Sequence, residues 1–284
     1  MGTDILRAMR ERVSVRTYRT QPLSKAHIQK IETFIKQQQK PPFGTDIRFV
    51  VLDTEEGHIG RKDTFGVIRG AGTFIACILP SGGRLADLGY AFEAVVLFAQ
   101  KLGIGTCWMG TFNRKTFSRA AKVKVGETLP VVSPLGYPDK KRSRADKSVR
   151  FIAGSRKRLP WERLFFNGSL DTPLTEANAG VFSEALEMVR LAPSASNRQP
   201  WRIVKEGNDT FHFYIQRSKA YIGNMLGFDI QMIDMGIALY HFEAALGARG
   251  ISGGFSEEKS DIGISGEKRG AVEYVTTFRE GEKR

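Results

Sequence analysis

Cysteine and histidine are both scarce in this sequence. Of its 284 residues only Cys77 and Cys107 are cysteines, and both have apolar neighbours. We therefore expect no disulfide framework and two reduced core side chains, with a catalytic thiol as the alternative. The four histidines are scattered and show no metal-ligand spacing, so no metal site is predicted.

Long apolar runs are missing as well. No stretch is apolar for the roughly 20 residues that a membrane helix requires, and Glu93 interrupts the most apolar segment, residues 91–99. The N-terminus lacks the charged start, apolar middle and small-residue cleavage site of a signal peptide. These absences predict a cytoplasmic protein that has no membrane partner.

Acidic residues are too few to balance the basic ones, and the formal net charge is +13. Most of the excess lies in residues 140–158, where Asp146 is the only acidic residue. The cations there are Lys140, Lys141, Arg142, Arg144, Lys147, Arg150, Arg156, Lys157 and Arg158. Such a cluster attracts polyanions. It is either a solvated basic loop or a site for a phosphate-bearing cofactor or for nucleic acid.

Hydrophobic periodicity predicts a mixture of helices and strands. Apolar residues recur at helical spacing in residues 4–13, 24–38, 87–102, 177–191 and 234–249. β-branched and aromatic runs predict strands at 47–52, 73–79, 106–109, 131–135, 201–205, 211–216 and 271–278. Because helices and strands do not alternate strictly, we predict an α+β fold.

The two halves of the sequence resemble each other. Residues 87–91 (Asp-Leu-Gly-Tyr-Ala) align with residues 234–238 (Asp-Met-Gly-Ile-Ala), and residues 48–50 (Arg-Phe-Val) align with residues 202–204 (Arg-Ile-Val). In both pairs the matching segments are separated by nearly the same number of residues, which predicts an internal duplication. The predicted halves are 1–160 and a shorter 161–284, joined through residues 159–175.

Two arginines flank a serine at the end of the first predicted helix. Arg12 and Arg16 are four residues apart, so they share one face if the helix persists, and Ser14 lies between them if it unwinds. Guanidinium groups suit phosphate and the edges of planar heterocycles. The alternative is a solvated helix C-terminus, where cations complement the dipole.

Two further segments have compositions that suit a flat ligand. Residues 192–201 (Ala-Pro-Ser-Ala-Ser-Asn-Arg-Gln-Pro-Trp) combine two prolines with small and amide side chains, which also fits a structured turn. Residues 103–112 (Gly-Ile-Gly-Thr-Cys-Trp-Met-Gly-Thr-Phe) carry glycines that let backbone N–H groups approach a ligand. The glycine run ends a helix and enters a strand, so it is not a dinucleotide fingerprint.

Taken together, these segments resemble the nitroreductase family, whose closing segment is also similar to residues 135–138 (Leu-Gly-Tyr-Pro) and 156–158 (Arg-Lys-Arg). The order differs from that of typical members, in which the proline-serine-asparagine loop soon follows the arginine-serine segment. Here residues 41–44 (Pro-Pro-Phe-Gly) take that place, and the loop appears only in the second half.

The resemblance implies a nitroreductase-like fold in which a mainly antiparallel central sheet is flanked by helices. Family members are homodimers with FMN sites built from both subunits. The division of motifs therefore implies a single-chain pseudo-dimer with one complete FMN site and one degenerate site. Because such a chain does not need to dimerise for its site, we expect a monomer.

The resemblance also implies a role for each motif residue. Arg12, Ser14 and Arg156 or Arg158 would bind the phosphate and ribityl chain, and Arg16 would lie near N1 and O2 of the ring. Backbone N–H groups of Gly110 and Thr111 would lie near N5. The second half would line the ring and ribityl chain with Pro193, Ser194, Ser196 and Asn197.

The implied activity is ping-pong oxidation of NAD(P)H coupled to reduction of a small-molecule acceptor such as a nitroaromatic or quinone. The flavin supplies the chemistry, and no side chain is assigned as a catalytic acid. The alternatives are a flavoprotein with another acceptor, a flavoprotein that no longer turns over, and a nucleic-acid-binding protein that uses residues 140–158. Aromatic residues are sparse in that segment, which disfavours nucleic acid.

Overall fold

A computed structural model describes residues 2–38, 40–139, 157–218, 227–257 and 272–281. The chain forms two compact units, Glu11–Ser155 and Met1–Arg10 with Arg156–Arg284. The predicted boundary at residue 160 assigned the first ten residues to the first half. They group with the second half instead, where the Arg10 guanidinium lies 2.6 Å from the Glu184 carboxylate. Helix α1 (Gly2–Glu11) is therefore divided between the units at its last residue.

The unit Glu11–Ser155 contains one four-stranded antiparallel sheet. Its strands β1 (Arg48–Asp53), β2 (Thr73–Pro80), β3 (Gly105–Thr106) and β4 (Glu127–Gly136) have the spatial order β1-β2-β4-β3. The helices are α2 (Lys25–Gln37), α3 (Leu85–Lys101) and α4 (Arg114–Ala120), and a 3₁₀ turn spans Arg61–Thr64. Strand β2 is buried over nearly its whole length, as its apolar sequence requires.

The other unit is built on a six-stranded sheet. Its strands are β5 (Phe165–Asn167), β6 (Ser169–Pro173), β7 (Trp201–Glu206), β8 (Thr210–Ile215), β9 (Gly253–Ser256) and β10 (Glu273–Glu280). The spatial order is β6-β5-β7-β8-β10-β9, antiparallel except for the parallel pair of β5 and β7. The helices are α5 (Glu176–Ala179), α6 (Ser183–Leu191) and α7 (Ile230–Ala248), and 3₁₀ turns span Trp161–Arg163, Gly180–Phe182 and Ala195–Asn197.

Residues 159–175, predicted to join the halves, contribute β5 and β6 to this sheet. Sequence analysis assigned no strand there. The two strands are short, three and five residues, and Gly168 separates them at φ +68°, so they carry little period-2 pattern. Phe165 and Leu170 are buried and fix the hairpin to the unit's core.

Both units repeat one order of elements. The first runs α2, β1, β2, α3, β3, β4 with the short α4 inserted before β4, and the described elements of the second run α6, β7, β8, α7, β9, β10. In each unit the first strand lies at one end of this set of four, and the third strand lies at the other end beyond the fourth. Helices are mixed with antiparallel-dominated sheets, so the predicted α+β class is confirmed.

The two long helices, α3 and α7, are apolar on nearly all sides because they lie within the cores of their units. Among the helices that the structure describes, none is long and apolar enough to cross a membrane. Cys77 and Cys107 are both buried, and burial raises the pKa of the Cys77 thiol well above its usual value. Over the same residues no group of side chains could hold a metal ion.

Candidate functional site

The arginine-serine segment is extended rather than helical. Helix α1 ends at Glu11, two residues earlier than predicted, and Ser14 then pairs with Thr106 of β3 as an isolated parallel bridge. The Val15 N–H donates to the Thr106 carbonyl at 2.8 Å. Arg12 and Arg16 therefore flank Ser14 along an extended strand and do not share a helix face.

Glycines make room for this extended segment. A Cβ built on Gly105 would lie 2.9 Å from Cβ of Val15, and one on Gly136 would lie 2.7 Å from Cδ1 of Tyr18. Both distances are shorter than ordinary van der Waals contact. Glycines in residues 103–112 were expected to make room for a ligand. At Gly105 the structure gives another reason for glycine, because a side chain there would collide with Val15.

Arg12 lies beside a buried carboxylate on α3. Its Nε is 4.0 Å from Oε1 of Glu93, and the two side chains are only 7% and 0% exposed. Trp108 Nε1 donates to Oε2 of Glu93 at 2.7 Å. A buried carboxylate is costly unless it is paired, which explains why an arginine lies here.

Nη1 of Arg12 is buried and has no hydrogen-bond partner within the described part of the chain. Buried guanidinium N–H groups are usually satisfied, so an unpartnered one is available to a ligand or to water. A phosphate or hydroxyl oxygen would satisfy this donor. This is the observation in the Glu11–Ser155 unit that best fits a cofactor.

Two adjacent backbone donors are also unpartnered, although Gly110 is only half-buried and Thr111 is exposed. Gly110 and Thr111 lie between the bridge that pairs Met109 with Val132 and the start of α4. Their N–H groups form no hydrogen bond among the residues that the structure describes, whereas the Gly110 carbonyl accepts from Arg114 at 2.9 Å. Both N–H groups can therefore donate to a ligand, as the predicted role requires.

The proline-serine-asparagine loop belongs to the other unit and has an unusual backbone. Ser196, Asn197 and Gln199 have positive φ values of 46°, 55° and 50°, although none is glycine. Left-handed backbone at non-glycine residues costs of order 1–3 kcal/mol each and is concentrated at functional sites. The loop is therefore a structured turn, and its strain also marks it as a candidate binding loop.

Side chains of the loop hold it in this conformation. Ser194 Oγ accepts from the Gln199 N–H at 2.9 Å, and Gln199 Oε1 accepts from the Leu159 N–H at 2.8 Å. Asn197 Nδ2 donates to the Lys157 carbonyl at 2.6 Å. Asn197 and Gln199 thus attach the loop to residues 157–159.

Arg158, predicted to bind phosphate, also contacts this loop. Its Nη1 donates to Oδ1 of Asn197 at 2.8 Å, and its Nη2 donates to the Leu191 carbonyl at 2.9 Å. The structure brings Arg158, Pro193, Ser194, Ser196 and Asn197 together within one unit. Arg156, the other predicted phosphate ligand, lies outside the described residues, as do residues 140–155 of the basic cluster.

Asp234 on α7 lies beneath the loop. It is 3% exposed, and its Oδ1 accepts from the Ala195 N–H at 2.9 Å. Its Oδ2 is buried without a partner among the residues described here. Burial raises the pKa of this carboxyl well above 3.8, which favours the protonated form.

Comparison with known proteins decides the family. The family profile described as "Putative TM nitroreductase" matches residues 4–246 of the chain. The chain belongs to this nitroreductase family. No curated protein matches the sequence significantly.

One solved structure supports this family assignment at the level of the fold. A crystal structure of a "putative nitroreductase" from Thermotoga maritima has a TM-score of 0.57 and 19% identity, and the match covers 97% of this chain and 92% of that one. An FMN-dependent nitroreductase from Clostridium difficile has a TM-score of 0.41 and 21% identity, covering 48% of this chain and 88% of that one. The nitroreductase-like fold therefore spans nearly the whole chain.

Three residues that shape the candidate site were not predicted from the sequence. Glu93 entered only as an interruption of an apolar run, and Asp234 only as part of an alignment. Gln199 entered only as one of the amide side chains of the loop. A lone carboxylate in an otherwise apolar helix is a usable indicator, because such a group must find a buried donor.

Proposed function

We propose that this nitroreductase is an FMN-dependent oxidoreductase that oxidises NAD(P)H and reduces nitroaromatics or quinones in ping-pong order. The observation that carries the proposal is the buried, unpartnered Nη1 of Arg12, which lies in the segment assigned to FMN. Membership of the family supports the oxidoreductase class. The choice of donor and acceptor rests on the resemblance alone.

The Glu11–Ser155 unit would hold FMN through Arg12, Ser14, Arg16 and the backbone N–H groups of Gly110 and Thr111. Glu93 orients the Arg12 guanidinium, while Nη1 stays available for a phosphate or ribityl oxygen. FMN, when bound, supplies hydride and electron transfer. The protein contributes binding, orientation and the positive charge of Arg16 toward the pyrimidine edge of the ring.

In the other unit we propose Pro193, Ser194, Ser196 and Asn197 as ligands, with Arg156 and Arg158. Because both amide atoms of Asn197 are already bonded, we propose that its main role is to fix the loop for its neighbours. Arg158 would hold Asn197 in place. Because both of its Nη groups already donate hydrogen bonds, it would act on the phosphate through its positive charge. That both groups of residues serve one flavin rests on the division of motifs in the sequence.

We also propose that the chain is an internally duplicated pseudo-dimer that carries one flavin. The support is the repeated element order and the identical spatial order of the four repeated strands in each unit. A further support is that Asp87 and Asp234, aligned in sequence, both accept backbone N–H groups from the loop before the unit's first repeated strand.

The test is steady-state kinetics of the flavin-loaded chain with NADH or NADPH and with a quinone or a nitroaromatic acceptor. Parallel double-reciprocal lines are expected for ping-pong order, whereas intersecting lines would show that donor and acceptor bind together. Arg12→Ala should lower flavin retention and activity. Arg119→Ala removes an exposed arginine of the same unit and should change neither. Bound flavin without turnover would leave the chain a flavin carrier only.

A further inference from the structure

A small pocket lies in the unit that carries residues 156–284, and none of its lining residues is assigned to the flavin. Its volume is about 250 Å³, and Phe166, Leu170 and Val272 form its apolar wall. Arg163, Arg202 and Glu162 supply charged groups to the lining. This volume is just below the roughly 300–1,000 Å³ of typical ligand sites, so it fits a compact ligand.

Arg202 is the unusual member of this lining. It is the second residue of β7, and only 8% of its surface is exposed. Its Nη1 donates to the carbonyls of Gln199 at 3.0 Å and Trp201 at 2.5 Å. These bonds satisfy one nitrogen but bring no negative charge, and no carboxylate pairs with Arg202 within the described ranges.

The second arginine makes the absence of a counter-charge more costly. Burial, and next the positive charge of Arg163, lower the pKa of Arg202 to about 10. Arg163 itself forms no ion pair among the described residues. Arg163 is exposed, but its positive charge acts on the buried Arg202, and an anion in the pocket would offset both.

The charges of the lining set the charge of the ligand. Arg163 and Arg202 are cationic and Glu162 is anionic, so the formal sum over these three side chains is one positive charge. A monoanion neutralises it, while a dianion would meet Glu162 as a repelling group. The apolar wall requires that the rest of the ligand be hydrophobic.

We propose that this pocket binds a small carboxylate with a compact apolar body. The carboxylate accepts from Arg202 and Arg163, and the apolar body packs against Phe166, Leu170 and Val272. A purely structural role for Arg202, holding the carbonyl of Gln199, accounts for Nη1 alone. It does not account for a second arginine beside a cavity with an apolar wall.

The probe is cyclohexanecarboxylate, titrated calorimetrically into the flavin-loaded chain, with cyclohexanecarboxamide as the neutral match. We expect the acid to bind with one site per chain and the amide to bind at least about 10-fold more weakly, since it offers no charge. The flavin absorption spectrum should not change, which separates this pocket from binding at the flavin. A site that perturbs the flavin spectrum, or equal binding of acid and amide, would overturn the proposal.

Three exposed-residue variants keep the test independent of folding. Arg163→Gln should weaken binding by about 2–5-fold, as expected for a partly exposed ion pair. Glu162→Gln should strengthen it by about 2–5-fold, because it removes the repelling charge. Arg249→Gln removes an exposed arginine that does not line the pocket and should leave the Kd unchanged.

Arg202→Lys keeps the charge but loses the planar fork, so binding should weaken by at least about 10-fold. If Arg163→Gln and Glu162→Gln shift the Kd in the same direction, or if neither shifts it, the carboxylate does not lie in this pocket and the proposal fails. None of these outcomes depends on whether NAD(P)H is oxidised, so failure here is distinguishable from failure of the proposed function.

Discussion

The two units hold the same kind of loop in two different ways. In the Glu11–Ser155 unit, Asp87 accepts N–H groups of Phe43 and Thr45, both at 2.9 Å, so each carboxylate oxygen has a partner. In the other unit, Asp234 accepts only the Ala195 N–H, and its second oxygen lacks a partner among the described residues. We call each aspartate with its N–H donors a clamp. The Asp87 clamp is complete, whereas one carboxylate oxygen of the Asp234 clamp has no partner among the described residues.

The loops themselves differ in the same sense. In residues 41–45 the only positive φ is at Gly44, at +78°, where a left-handed backbone carries no Cβ penalty. In residues 193–200 the positive φ values fall on Ser196, Asn197 and Gln199. Strain and an unsatisfied buried group occur together in the unit that carries the proline-serine-asparagine loop. The loop of the other unit is relaxed, as expected if function maintains the strain.

The largest expected effect that sharpens this comparison is at the complete clamp. Asp87→Asn replaces an acceptor with an N–H₂ group that faces a backbone donor. The free energy of unfolding should therefore fall by about 2–3 kcal/mol. Asp234→Asn keeps the acceptor for Ala195 and changes an atom that has no partner, so the loss should be under about 1 kcal/mol.

Chemical denaturation of both variants at neutral pH measures this difference. Retention of a cooperative transition in each variant is the control that folding itself is intact. Equal losses for Asp87→Asn and Asp234→Asn would show that the two aspartates contribute equally to the free energy of unfolding, which would contradict the comparison.

The second prediction concerns pH. Burial raises the pKa of Asp234 above 3.8 in the folded state, so its contribution to stability is fully present below that pH and is lost as pH rises through the folded-state pKa. The wild-type protein should therefore lose stability relative to Asp234→Asn as pH rises from about 4 toward neutrality, by at most about 1.4 kcal/mol per pH unit.

Denaturation of wild type and Asp234→Asn across this pH range checks the sign. Asp87→Asn is the matched comparison, since both carboxylate oxygens of Asp87 already accept backbone N–H groups. A difference between wild type and Asp234→Asn that stays constant with pH, or that grows in favour of wild type, would mean that the folded state does not hold Asp234 protonated.

The smallest expected effect is at the loop backbones. Gly44→Ala places a Cβ at φ +78° with no atom within 4 Å, so the cost is conformational only, about 1–2 kcal/mol. Ser196→Gly relieves a strained backbone at φ 46°, and stability should not fall. Thermal melts of the two variants measure the contrast, and a Ser196→Gly loss as large as that of Gly44→Ala would refute the strain at Ser196.

Regular elements were largely predictable because their periodic apolar residues report burial. Strand β2 and helix α3 are examples, with buried residues along almost their whole length. Helix α4 and strands β5, β6 and β9 were missed, since elements of three to seven residues give too few periods to recognise. Helix α7 begins at Ile230 rather than Asp234, because Asp229 caps it by accepting from the Gln231 N–H.

The candidate site was predictable as a set of motif residues but not as a set of contacts. Residue types at 12–16 and 193–199 indicated a binding role, yet nothing in their order shows that Asn197 bonds to Arg158 and Lys157. The Glu93 and Trp108 contact depends on where α3 packs. Such contacts join residues far apart in sequence, and a single sequence does not report them. The nine cations of residues 140–158 remain a prediction, since most lie outside the described residues.

The most direct test of the account is the flavin content of the chain after incubation with excess FMN and desalting. The account predicts close to one flavin per chain by absorption, a reduced content in Arg16→Ala and in Asn197→Ala, and an unchanged content in the control Arg119→Ala. Two flavins per chain would contradict the division of one site's motifs between the halves. No retained flavin in the wild-type chain would contradict the proposed function itself.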